Sequence, residues 1–99
     1  MNHLQVVARI IEKSPLRYTP AGIPIASATL MHSSRQVEAN IERLVEFEMT
    51  AQAAGQISAQ FASLPMEVEM VFTGFLARKN RNSKSLVFHI NEIGTNLLD

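Results

Sequence analysis

The chain contains no cysteine and no tryptophan. Without cysteine there can be no disulfide, zinc–thiolate centre or thiol nucleophile. The only aspartate is Asp99 at the C-terminus, so a Ser–His–Asp arrangement would depend on a fraying end. The four glycines, Gly22, Gly55, Gly74 and Gly94, are too scattered to form a phosphate-cradling loop. His3, His32 and His89 are isolated from one another and from acids at metal-ligand spacing, so each reads first as a solvated or packed histidine. Glu46 and Glu48 lie on one side of a strand, and an ordinary polar face explains them better than acid–base chemistry. No enzymatic activity, cofactor or metal is expected. No apolar run approaches the roughly 18 residues needed to span a membrane. The opening residues lack the features of a signal peptide, which leaves a cytoplasmic location as the expectation.

The composition is that of a folded chain: 46% hydrophobic and 18% charged over 99 residues. One domain, residues 1–99, is expected at this length. So small a core is marginal, and a partner subunit would add burial. Nine basic residues balance nine acidic ones, but their distribution is uneven. Arg78, Lys79, Arg81 and Lys84 fall within seven positions that hold no acid. A neutral chain with its cations gathered in this way can still present a local anion site.

Alternation dominates the pattern. Residues 4–11 alternate in two sets, Leu4, Val6, Ala8 and Ile10 against Gln5, Val7, Arg9 and Ile11, and predict a first strand. The prolines and glycine of residues 14–24 predict an irregular connector. Residues 25–32 form a second predicted strand with Ala26, Ala28 and Leu30 facing inward, the small residues implying tight curvature. Residues 33–40 are polar and expected to be a mobile loop. A third strand is predicted over residues 42–54, with Val45, Phe47, Met49 and Ala51 inward, and a helix over 56–64, ended by Pro65. The fourth strand covers residues 66–77, with Gly74 marking a bend. The fifth covers 86–91, and residues 94–99 read as a tail. The fold class is therefore mainly all-β: a five-stranded OB-type Greek-key barrel with one short helix between strands three and four.

In that barrel the cationic segment is the loop after strand four, one of the places where such folds bind oligonucleotides. Arg78, Lys79, Arg81 and Lys84 would neutralise phosphates and draw affinity from counterion release. The bland alternative is a solvated hairpin tip carrying charge for solubility. Asn80, Asn82 and Ser83 add neutral donors and are expected to keep the loop pliant. Single strands also need rings to stack on. Most phenylalanines have inward parity and read as core; Phe75, after Gly74, and Tyr18, beside Arg17, are the stacking candidates. His32, at the mouth of its strand, is a candidate phosphate contact.

Several segments are similar to a known family. Asn2-His3-Leu4, Ser14-Pro15-Leu16-Arg17, Thr19-Pro20-Ala21-Gly22-Ile23-Pro24, Leu30-Met31-His32, residues 43–55 and Val71-Phe72-Thr73-Gly74-Phe75-Leu76 resemble the primosomal replication protein N (PriB) family, relatives of bacterial single-stranded-DNA-binding protein. The likeness spans residues 2–94. It implies an OB-fold homodimer that binds single-stranded DNA during replication restart, beside the restart helicase PriA and the helicase-loading proteins, without enzymatic activity. By position it assigns Lys79, Arg81 and Lys84 to the family's basic loop. Arg17 matches the arginine of the Pro-Leu-Arg element, and His32 the histidine closing strand two. The chain departs from the family in having no tryptophan and in placing Glu46 and Glu48 on the third strand, where carboxylates repel phosphate; DNA binding weaker than that of a typical relative is expected. The competing expectation is an OB module for protein contacts, with weak or no nucleic-acid binding. Charge and stacking do not register a 2′-hydroxyl, so DNA and RNA both stay open.

Overall fold

A computed structural model describes residues 1–95. In chain order the elements are β1 (Leu4–Lys13), β2 (Arg17–Tyr18), β3 (Pro24–Glu38), β4 (Ile41–Ala54), a 3-10 turn (Gly55–Ile57), α1 (Ser58–Ala62), β5 (Met70–Arg78) and β6 (Leu86–Thr95). The sheet order is β1-β5-β6-β4-β3-β2, and a further β1–β3 pairing closes five of these strands into a barrel. The pairings are antiparallel except β4–β6, which runs parallel through Ala51↔Phe88 and Gln52↔His89. This is the expected five-stranded OB barrel, with β2 appended to β3.

Side-chain size explains the tight closure. Ala8, Ala26, Ala28, Ala51 and Ala53 are buried on the inner face, where a strongly curved sheet leaves little room. Phe61, Phe72, Phe88, Ile10 and Leu30 fill what remains. Phe61, carried by α1, plugs the barrel and meets Phe72 edge-on, with ring centroids 6.0 Å apart. Burial of each such ring contributes roughly 2–3 kcal/mol. Lys13 ties β1 to α1, its Nζ donating to the Ala62 and Leu64 carbonyls at the helix C-terminus, where a cation also suits the dipole.

Four expectations of the sequence are corrected. Residues 33–40 are not a loop: β3 and β4 stay paired as far as Glu38↔Ile41. The turn is Ala39-Asn40, both at positive φ (52° and 63°), as a two-residue hairpin turn requires. The arm is stiffened by ion pairs of Arg35 with Glu42 and Arg43 with Glu38. At about 3.3 Å per residue, fifteen residues of β3 extend about 50 Å, comparable with the 50 Å long axis of the molecule. Secondly, the connector contains β2, paired through Arg17↔Ile25 and Tyr18↔Pro24. A turn holds that pairing: the Gly22 N–H donates to the Thr19 carbonyl at 2.8 Å, with Gly22 at φ 84°. Thirdly, residues 66–69 precede β5 instead of belonging to it. Glu67 turns at φ 64°, donates its N–H to the Ile10 carbonyl at 2.9 Å and pairs with Arg9 at 3.2 Å. At the other end, β6 runs through Thr95, so the expected tail begins as strand; residues 96–99 lie outside the described residues.

Candidate nucleic-acid interface

An open cleft of about 660 Å³ crosses the outer face of the barrel. Arg17 of β2 stands on one wall; Arg78, Lys79 and Asn80, at the base of the β5–β6 hairpin, stand on the other. Ser27, Thr50, Gln52 and His89 contribute the floor from β3, β4 and β6. Arg17 is there because β2 pairs with β3, so the short strand that the prolines concealed is what brings the first connector to the cationic hairpin.

The hairpin beyond Arg78 is built from local hydrogen bonds. The Lys79 N–H donates to the Ser85 carbonyl at 2.9 Å, and the Ser83 N–H to the Asn80 carbonyl at 3.2 Å. Asn80 Oδ1 accepts from the Asn82 N–H at 2.9 Å, and Ser83 Oγ from the Ser85 N–H at 3.0 Å. Arg78 Nη1 donates to the Arg81 carbonyl at 3.1 Å. Asn80 and Ser83 therefore act as turn-forming acceptors that shape the tip, where the sequence suggested pliancy.

The electrostatics are asymmetric. Arg9, Arg35 and Arg43 each have a carboxylate partner. Among the described residues, Arg17, Arg78, Lys79, Arg81 and Lys84 have none. All five are exposed, so their charge is available to an external anion. Glu48 shares a face with Thr50 and lies about 7 Å further along β4. Neither it nor Glu46 lines the cleft.

The other candidates divide. Tyr18 is 64% exposed beside Arg17, and Phe75 is 39% exposed on β5. Phe75 rests face to face on His89, with centroids 4.9 Å apart and planes 5° from parallel. Arg81 and Lys84 are at the tip, beyond the cleft walls. His32 is elsewhere: its Nδ1 meets the Val7 carbonyl and its Nε2 the Ser34 hydroxyl, both at 2.7 Å, and its ring packs on Phe47. Phe47 is itself a correction. It keeps the inward parity expected of it, but β4 has run past the barrel by that point, and the ring is 42% exposed. His89 and Gln52 were not singled out from the sequence. Their only signal was outward parity on predicted strands, and the parallel β4–β6 register that joins them is not visible in local periodicity.

Comparison with known proteins agrees with this architecture. Residues 2–92 match the model described as "Another single-strand binding protein family". The replication restart protein PriB of Bordetella pertussis is 37% identical over 92 residues, covering 93% of this chain and 86% of that protein. The PriB of Neisseria meningitidis serogroup B is 38% identical over 93 residues, covering 93% and 92%. The crystal structure of PriB from Ralstonia solanacearum superposes with a TM-score of 0.89 at 38% identity, covering 97% of this chain and 98% of that one. Both the sequence and the closed barrel therefore establish that the chain belongs to the single-strand binding protein family, in its PriB branch.

Proposed function

We propose that this protein binds single-stranded DNA along the cleft between β2 and the β5–β6 hairpin, as a non-enzymatic accessory factor of replication restart. The observation that carries the reading is the cluster of five cations without carboxylate partners on β2 and the β5–β6 hairpin, three of them lining one cleft. The PriB names of its relatives support the restart role; the restart helicase PriA and the helicase-loading proteins are the partners this reading assigns. The reading includes a cytoplasmic homodimer. Val37 and Leu44, exposed on one face of the β3–β4 arm, with Ile41 on the other, give a second copy apolar surface to cover. No helix among the described residues is long and apolar enough to cross a membrane.

A protein-contact OB module is the second reading, favoured by that same arm and by Glu46 and Glu48 on β4. Oligonucleotide titration at several salt concentrations separates the two. Tyr18, the only tyrosine in a chain without tryptophan, supplies the emission signal from beside Arg17. Each phosphate contact contributes about 0.7 to the slope of log affinity against log salt, so Arg17→Ala/Arg78→Ala/Lys79→Ala should flatten it by about 2. An unchanged slope and affinity in the triple variant refutes the cleft assignment.

A further inference from the structure

The cleft has a cationic rim and a different kind of floor. Strand register puts Ser27 opposite Gln52, Gln52 opposite His89, and His89 opposite Phe75. These side chains form one row across β3, β4, β6 and β5, about 14 Å long at the usual strand spacing. His89 lines the cleft, and Phe75, just beyond its lining, closes that end of the row as a parallel ring partner. His32 has both ring nitrogens occupied. By contrast, the His89 ring and the Gln52 amide have no hydrogen-bonding partner among the described residues.

We infer that this row is a seat for one nucleobase, which continues the Phe75–His89 stack while Gln52 hydrogen-bonds its edge. The inference rests on the cleft being a nucleic-acid site and adds to it a contact made with the base itself. The arrangement orients a strand: sugar-phosphate toward Arg17, Arg78 and Lys79 on the walls, base toward the floor. A ring already held parallel by its neighbour loses little freedom when a third plane is added. Every base has a π-face, so the stack accepts any of them. The Gln52 amide, one donor group and one acceptor, distinguishes among their edges.

The test compares an oligo-dT of about 12 nucleotides, within the usual range for one OB fold, with an abasic oligomer of equal length across a salt series. Wild-type protein should bind the abasic oligomer more weakly. Phe75→Ala should weaken oligo-dT binding by roughly 5- to 100-fold, by a similar factor at each salt concentration, because stacking releases no counterions. It should also remove the gap between the two oligomers. His89→Ala should act in the same direction and His89→Phe should restore binding. Gln52→Ala should narrow the differences among oligo-dA, oligo-dC and oligo-dT. Thermal melts of the variants confirm that each is folded. If wild type binds abasic and normal oligomers equally, or if Phe75→Ala changes the salt slope alone, the base seat is wrong and the phosphate cleft stands. If wild type binds neither oligomer, both readings fall.

Discussion

Replacing Gly74 with alanine should destabilise the barrel more than any other glycine change in its β5–β6 pair. A Cβ at this position would stand 1.8 Å from the His89 carbonyl oxygen, 2.8 Å from its carbon and 3.0 Å from the Ile90 Cα. All three obstacles are backbone of the paired strand, so no side-chain rotation relieves them. The strands must part by roughly 1 Å, which takes neighbouring ladder bonds out of the normal N–H···O range of about 2.7–3.2 Å. Overpacking of this kind costs about 1–3 kcal/mol, and a weakened ladder bond adds about 1 kcal/mol. A total of about 2–4 kcal/mol lowers the melting temperature by about 10–25 °C in a domain of this size. Gly94 provides the control within the same strand pair: nothing lies within 4 Å of the corresponding Cβ. Gly94→Ala should melt within about 3 °C of wild type or slightly above it, since Ala orders less backbone entropy than Gly in a strand. Circular dichroism melts of the two variants measure the difference. Equal midpoints for Gly74→Ala and wild type would refute the claim that close backbone approach, and not turn chemistry, is why glycine occupies position 74.

Two further outcomes follow from other sites. Ala39 holds φ 52° at the tip of the arm, a conformation that costs a non-glycine residue about 1–2 kcal/mol. Ala39→Gly should therefore raise the unfolding free energy by about 0.5 kcal/mol after the added chain entropy of glycine is subtracted, as read by urea titration; a loss of stability would show that the turn is not strained. Glu48→Gln removes a carboxylate one step along β4 from the cleft. It should tighten oligonucleotide binding about two-fold at low salt and leave it unchanged at high salt, and equal affinities at low salt would show that this face does not meet the nucleic acid.

Much of the barrel was legible because its strands have one dry face. Ala26, Ala28 and Leu30 alternate against Ser27 and Thr29, and the structure buries the first set. Gly74 was readable as a bend, and the bulge lies between Thr73 and Gly74. The arm was not legible because it has no dry face. Arg35, Gln36 and Val37 are exposed strand residues with water on both sides, so nothing alternates. Phe47 misled for a related reason: parity gives direction, but not how far the core extends beneath it. Strand β2 was hidden by prolines that border it without interrupting its pairing. The cationic hairpin was plain from composition. The floor beneath it depends on β4 meeting β6, a contact between segments more than thirty residues apart.

The ion pairs along the β3–β4 arm have an effect at a distance. Arg35 with Glu42 and Arg43 with Glu38 cancel at short range, so the arm projects almost no field beyond a Debye length of about 8 Å. The unopposed positive charge is concentrated instead around the cleft and the β5–β6 tip. A polyanion drifting past would feel no net pull from a particle of zero formal charge, only a torque that turns the β5–β6 tip toward it. Orientation would then precede contact, and the four ion-paired residues of the arm would add nothing to that torque.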